Sequence, residues 1–136
     1  IGIRESVLNK PGKLTPEEFE HVKDHVRIGI EILAPLKPIG HVLGAIQDHH
    51  EHWDGQGYPN AKSGDAIAIG GRILAAADAY DALTSRRAWR DSLSPPEAVN
   101  FLRERSGKLL DPSVFEALHT VVTRRKTLQF LDSASQ

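Results

Sequence analysis

The sequence predicts an all-α fold, a bundle of about five helices. Three observations lead to this prediction. Helix-start signals that combine Ser, Thr or Asp with Pro recur along the chain. Apolar residues repeat at three- and four-residue spacing, and no sustained alternation of apolar and polar residues indicates a sheet. A length of 136 residues suits one domain with an ordinary core.

The first long helix has the clearest start. Thr15 is the expected N-cap, Pro16 takes the first helical position, and Glu18 completes a capping box. Apolar residues then recur at helical spacing up to Leu33, after which prolines follow. The sequence therefore predicts a helix from Pro16 to Leu33.

The remaining elements follow in order along the chain. Apolar residues from Ile39 to Ile46 predict a helix that continues onto His49 and His50, which places this pair on the core side. A Gly-rich loop is expected over 54–64, a helix of small residues over 70–83, and further helices from Ser94-Pro95 and Asp111-Pro112.

Composition and termini exclude several classes of protein. Seventeen Lys and Arg nearly balance 18 Asp and Glu, which gives no electrostatic reason to bind long nucleic acid or a membrane surface. The chain has no Cys, so disulfides and thiolate metal sites are excluded. No apolar run approaches the roughly 20 residues of a membrane span and no signal peptide is evident, so a cytoplasmic location is expected. Since Met is absent even at position 1, we expect a piece of a longer protein.

The segment from His49 to Pro59 has the pattern of a metal site beside a substrate loop. It holds three His within four residues, followed by two Gly, a Tyr and a Pro. Adjacent helical residues point about 100° apart, so His49 and His50 can serve two different ions. His25 lies on or beside the apolar stripe of the first helix, where a lone His is more often a hydrogen-bonded core residue.

Carboxylates near this segment are the other candidate ligands. Asp78 lies among alanines, where a buried carboxylate would need a cation to offset its desolvation. Asp81 is expected to orient a ligand, the alternative being a hydrogen bond at the helix end. Glu51 and Asp54 are expected to support the metal ligands in the same way.

Arg86, Arg87 and Arg90 follow the small-residue helix closely. Guanidinium groups suit phosphate oxygens, and a cluster of them after a cation site favours an anionic substrate. The alternative is that these arginines form a solvated face.

The string from His49 to Pro59 resembles the HHExxDGxGYP signature of HD-GYP domains. These are bacterial phosphodiesterases of cyclic di-GMP, built on the all-helical HD phosphohydrolase fold. The resemblance extends upstream through the segment 8–15 and downstream through 77–85, Ser94-Pro95 and Asp111-Pro112. It covers nearly all of residues 1–125, so the domain is expected to span 1–125, with a frayed tail over 126–136.

The resemblance also implies a site and a reaction. It implies hydrolysis of cyclic di-GMP to pGpG or GMP, with two or more iron or manganese ions in the complete domain. A sensory or receiver domain before Ile1, and a diguanylate cyclase or another protein, are the implied candidate partners. The implied metal ligands are His25, His49, His50 and Asp78, and the implied substrate-binding residues are Tyr58, Arg87 and Arg90, with Gly55 and Gly57 shaping the turn.

The chain departs from the family at its start. Family members carry a His-Asp pair within HDxGK immediately before the segment that matches Ile1, and no His-Asp dipeptide occurs in the 136 residues. We therefore expect the C-terminal portion of a domain, with an incomplete metal centre and little or no turnover alone. One alternative is a non-catalytic module that binds a cyclic dinucleotide or a protein. Another is a phosphohydrolase of a different nucleotide, because Arg86, Ala88 and Trp89 replace the family's usual Asp, Pro and Tyr.

Overall fold

Six α-helices form the fold in the described part of this chain, which confirms the all-α prediction. The computed structural model describes residues 2–86 and 91–134, and no strand occurs in these two ranges. Two 3₁₀ turns, Lys37–Val42 and Gly64–Ala66, join the helices. The helices are α1 (Glu5–Leu8), α2 (Pro16–Leu33), α3 (Leu43–Asp48), α4 (Ile69–Thr84), α5 (Pro95–Arg103) and α6 (Pro112–Ala134).

The predicted helix starts are present as capping interactions. The Thr15 hydroxyl accepts a hydrogen bond from the Glu18 backbone N–H, and the Glu18 carboxylate accepts one from the Thr15 N–H. Helix α2 therefore has the predicted bounds. Ser94 begins α5 with a second capping box, and the Asp111 carboxylate accepts the Ser113 N–H at the start of α6.

The helix predicted over 39–50 is shorter than expected. The chain forms the 3₁₀ turn Lys37–Val42 before α3, and α3 ends at Asp48. Pro38 lacks an N–H and Gly40 is a weak helix former, which together disfavour a longer α-helix here. His49 and His50 consequently lie in the turn after α3, not within a helix.

Helices α3 and α4 approach closely because glycines lie where they cross. A Cβ atom at Gly70 would lie 2.6 Å from the Cβ of Ala45, and one at Gly71 would lie 2.7 Å from the Cβ of Asp48. This agrees with the small-residue character of α4. The core proper lies between α4, α5 and α6, and its buried residues are Ala76, Leu83, Ala98, Val99, Leu102, Leu110, Val114 and Phe115.

Helix α6 continues beyond the expected end of the domain. Helix α6 is described to Ala134, and the expected domain end at residue 125 with a frayed tail over 126–136 stays a prediction. The segment 124–131 contains neither Gly nor Pro and is rich in Arg, Lys, Leu and Gln, which favour a helix. Within the described part of the chain, neither α6 nor another helix is long and apolar enough to cross a bilayer.

Candidate metal centre

Three imidazoles from two parts of the chain meet at one point. His25 comes from α2, and His49 and His50 come from the turn after α3. One ring nitrogen of each lies within 4.8 Å of the corresponding atom of the other two. The Nε2 atoms of His25 and His50 are 3.2 Å apart. The expectation that His49 and His50 point to different ions assumed a continuous helix, and the turn instead brings both to one cluster.

Backbone carbonyls set the hydrogen positions on two of these rings. Nδ1 of His25 donates to the Val22 carbonyl, and Nδ1 of His49 donates to the Ile46 carbonyl at 2.6 Å. A carbonyl oxygen only accepts, so each Nδ1 carries the hydrogen and each neutral ring keeps a lone pair on Nε2. This is the arrangement in which histidine binds a metal, and the three residues therefore fit a divalent cation.

His50 is held in its neutral form. Burial, together with the charges of His49, His25 and His52, lowers the pKa of His50 from 6.5 to about 4. At neutral pH this ring is therefore uncharged, so it does not repel a metal cation and has one ring nitrogen with a lone pair.

Tyr58 connects the glycine-containing loop after the His pair to the histidine cluster. Its ring stacks on His50, its edge contacts Phe19, and its backbone N–H donates to the His50 carbonyl at 3.1 Å. Burial and the negative charge of Asp78 raise the pKa of Tyr58 from 10.0 to about 12. The phenol therefore keeps its proton and can donate a hydrogen bond at physiological pH.

The two glycines before Tyr58 serve different purposes. Gly55 has a φ of +84°, a left-handed conformation that favours glycine. Gly57 is needed for space, because a Cβ there would overlap the backbone of His50, Glu51 and His52. Together they let the loop turn back over the residues that carry the imidazoles.

Two buried acids beside the histidines hold this loop. Glu51 accepts hydrogen bonds from the backbone N–H groups of Asn60 (2.7 Å) and Lys62 (3.0 Å). Asp48 accepts from Lys62 Nζ at 2.7 and 2.9 Å and from the Ala68 N–H at 2.8 Å. The sequence analysis missed Asp48, although an acid at the end of an apolar stripe and directly before the His pair was a usable signal.

The expected support of the metal ligands by Glu51 and Asp54 is not what the structure shows. Glu51 bonds the loop backbone. Asp54 is exposed and accepts the Gln56 N–H at 3.1 Å, which closes a local turn. Both acids shape the loop.

Asp78 and Asp81 differ from their predicted environments. Asp78 is exposed, so the desolvation argument for a cation there was wrong. Neighbouring alanines do not imply burial, because Ala76 faces the core while Ala77 and Asp78 lie on the exposed side of α4. The metal-ligand cluster found among the described residues contains the three histidines and not Asp78. Asp81 accepts a hydrogen bond from the Ser85 hydroxyl at the end of α4, the alternative considered for it.

Of the three arginines that follow the small-residue helix, the structure describes only Arg86. Arg86 is exposed. Arg87 and Arg90, with Ala88 and Trp89, lie outside the described residues, so their proposed contacts with phosphate stay predictions.

A profile of the HD domain family matches residues 3–114. The chain belongs to the HD domain family. This confirms the recognition made from the sequence.

This HD domain is similar to larger proteins that are named as phosphodiesterases. It is 44% identical over 128 residues to a cyclic di-GMP phosphodiesterase of Vibrio cholerae, and the match covers 89% of the chain and 26% of the relative. It is 38% identical over 122 residues to 3'3'-cGAMP-specific phosphodiesterase 2 of the same organism, a match that covers 87% of the chain and 23% of the relative. The chain thus spans about a quarter of the length of these curated relatives.

A solved structure shares the helical fold of this HD domain. It is described as a cyclic GMP-AMP specific phosphodiesterase of V. cholerae, and its TM-score is 0.64 at 22% sequence identity. The match covers 90% of the chain and 32% of that structure.

The HD domain also has a cavity of about 560 Å³ beside Tyr58. Residues of α2 and of the loop segment 57–61 line it. Lys23 lies at its wall with Nζ 5.7 Å from the centre of the Tyr58 ring, and its ion pair with Glu20 measures 2.7 Å. Tyr58 therefore contacts the histidine cluster on one side and contributes to a ligand-sized cavity on the other.

Proposed function

We propose that this HD domain binds a divalent metal and belongs to a phosphodiesterase whose substrate is cyclic di-GMP. The convergence of His25, His49 and His50 on one point carries the proposal. Two of these rings carry their hydrogen on Nδ1 and keep the Nε2 lone pair, and the third is neutral at physiological pH. The similarity to a cyclic di-GMP phosphodiesterase of V. cholerae supports the substrate.

The three histidines would hold the ion, with Asp78 as the proposed carboxylate ligand and iron or manganese as the proposed metal. The charge of Asp78 contributes to the raised pKa of Tyr58, which supports its proposed role beside the loop. When bound, such an ion supplies a Lewis acid that activates water and neutralises charge on the phosphoryl oxygens. Imidazole and carboxylate ligands suit iron and manganese.

The substrate would be bound by residues of the loop and of the segment after α4. Tyr58 keeps its phenolic proton, so it can donate a hydrogen bond to a phosphate, ribose or base acceptor. Arg87 and Arg90 are proposed to bind the phosphates through bidentate hydrogen bonds. Gly55 and Gly57 give the loop the turn that brings Tyr58 to His50.

Hydrolysis of cyclic di-GMP by the parent protein tests the proposal. His50→Ala should reduce formation of pGpG by at least about 100-fold, because a lost metal ligand removes the activation of water. The matched control is His41→Ala, which changes an exposed histidine on the 3₁₀ turn and should leave the rate unchanged. Unchanged hydrolysis by His50→Ala would contradict the proposed role of the cluster.

A different cyclic dinucleotide is the second candidate substrate. The observation that favours it is the 38% identity to a 3'3'-cGAMP-specific phosphodiesterase. A panel of cyclic di-GMP, 3'3'-cGAMP and cyclic di-AMP, assayed on the parent protein with the same metal, separates these substrates by kcat/KM.

A non-catalytic binding module is a third reading, and a binding experiment separates it from an enzyme. The isolated chain is titrated with cyclic di-GMP before and after treatment with a chelator. Binding that needs the metal supports the phosphodiesterase, whereas equal binding in both states favours the module.

A further inference from the structure

We propose that Lys62 is a positioning residue that keeps Tyr58 against His50 through its ion pair with Asp48. The effect on nucleotide binding rests on the proposed function, because it assumes that Tyr58 contacts the substrate. The positioning itself does not depend on the substrate.

The ion pair is anchored in a buried carboxylate. The Asp48 side chain is only 1% exposed, while Lys62 is one-third exposed and reaches inward to it. Both carboxylate oxygens contact Nζ, at 2.7 and 2.9 Å. The Asp48 carboxylate also accepts a hydrogen bond from the Ala68 backbone N–H, at 2.8 Å. A buried carboxylate is strongly destabilised when its cation is removed, so Lys62 and Asp48 depend on each other.

Lys62 is bound to both acids that flank the His pair in sequence. Its backbone N–H donates to Glu51 at 3.0 Å, and its side chain pairs with Asp48. Asp48 ends α3 and Glu51 follows the His pair directly, so both belong to the segment that carries His49 and His50. Lys62 therefore ties the far end of the Tyr58 loop to the metal-binding turn at two points.

The backbone next to Lys62 needs such support. Ala61 has a φ of +53°, in the left-handed region that alanine rarely adopts. A residue in this region persists when its neighbours fix its conformation. Here both neighbours are fixed, since Asn60 and Lys62 each donate a backbone hydrogen bond to Glu51.

Loss of the Lys62 ammonium should release this end of the loop. Asp48 would then face the interior without its cation, and the loop would shift to let water reach the carboxylate. Tyr58 would spend less time stacked on His50. If the stacked arrangement falls to about a tenth of the molecules, the apparent affinity for a ligand that needs it falls about tenfold.

Fluorine NMR tests the positioning without a substrate. The chain contains two tyrosines, so incorporation of 3-fluorotyrosine in a Tyr80→Phe background gives a single signal from Tyr58. Lys62→Met should shift or broaden that signal as the ring leaves His50, and Lys62→Arg should restore it. The matched control is Lys10→Met, which removes a lysine of nearly equal exposure, 32% against 33%, from its ion pair with Glu18. A signal that is the same in Lys62→Met and in the unmodified chain would overturn the proposal.

Ligand binding separates a positioning role from a general structural role. Lys62→Met should keep the manganese content of the unmodified chain and bind cyclic di-GMP about tenfold more weakly, with recovery in Lys62→Arg. Loss of manganese together with the nucleotide in Lys62→Met would show a structural role and overturn the proposal. If Lys62→Met does not fold, Lys62→Gln replaces it, because glutamine retains a neutral hydrogen-bond donor. Lys62→Gln should shift the fluorine signal by less than Lys62→Met would. No shift in Lys62→Gln would overturn the proposal. If neither the unmodified chain nor the parent protein binds cyclic di-GMP, the proposed function fails, and the fluorine experiment still decides the role of Lys62.

Discussion

The ring of Tyr58 stacks on the ring of His50, with centroids 4.9 Å apart and an angle of 29° between the planes. The Tyr58 backbone N–H also donates to the His50 carbonyl. The loop is therefore fixed to the turn that carries the histidine pair by a ring contact and a main-chain hydrogen bond. A change at either residue should be detectable at the other.

The first prediction concerns the ionisation of Tyr58. In a Tyr80→Phe variant, absorbance at 295 nm should report a phenol with a pKa of about 12, because burial and the Asp78 carboxylate disfavour the phenolate. Asp78→Asn should lower this pKa, since it removes the second of these causes. Circular dichroism on the same samples verifies that the chain is folded. A midpoint near 10 in the folded protein would contradict the described environment of Tyr58.

The second prediction concerns acid stability of the metal-free chain. The pKa of His50 is about 4 in the folded chain and 6.5 for an ordinary histidine. Between these values the unfolded chain binds a proton that the folded chain does not, so the free energy of unfolding should fall as the pH falls from 6.5 to 4. Because the ring is only partly buried, the slope from this group should stay below about 1.4 kcal/mol per pH unit.

Urea unfolding at several pH values, after treatment with a chelator, measures this slope. His50→Gln should reduce the dependence of the unfolding free energy on pH between 6.5 and 4. His41→Gln, which changes an exposed histidine, should leave this dependence unchanged. Equal slopes in the two variants would argue against the low pKa of His50.

The sequence predicted those parts of the molecule that depend on local chemistry. Thr15, Pro16 and Glu18 predicted the start of α2, because the hydrogen bonds of a capping box form between residues only three positions apart. The sequence indicated which histidines belong to the cluster, but it did not predict how their rings are arranged. Its geometry depends on α3 ending at Asp48, which turns two adjacent imidazoles toward one point.

Interactions between residues far apart in the sequence could not be predicted. The pair of Asp48 and Lys62 joins residues 14 positions apart, and no local pattern indicates that Lys62 turns inward. Asp78 was expected to be buried because its neighbours are small. Its exposure depends on which face of α4 packs against α3 and α6, and this is a property of the whole fold.

The third prediction concerns the crossing of α3 and α4. Gly71→Ala should destabilise the chain by about 1–3 kcal/mol, because the new Cβ would meet Asp48 at 2.7 Å and force the helices apart. Gly29→Ala is the matched control, since Gly29 lies within α2 with open space around it. There alanine should stabilise the helix by up to about 1 kcal/mol. Equal effects in thermal unfolding would contradict the close approach at Gly71.

The measurement that tests the central claim most directly is the metal content of the purified chain, determined by elemental analysis after incubation with manganese or ferrous iron. The cluster of His25, His49 and His50 predicts at least one ion per chain. The double variant His49→Ala, His50→Ala should lose it, and the exposed His41→Ala should retain it. A chain that holds no metal, or a double variant that holds as much as the unmodified chain, would contradict the account.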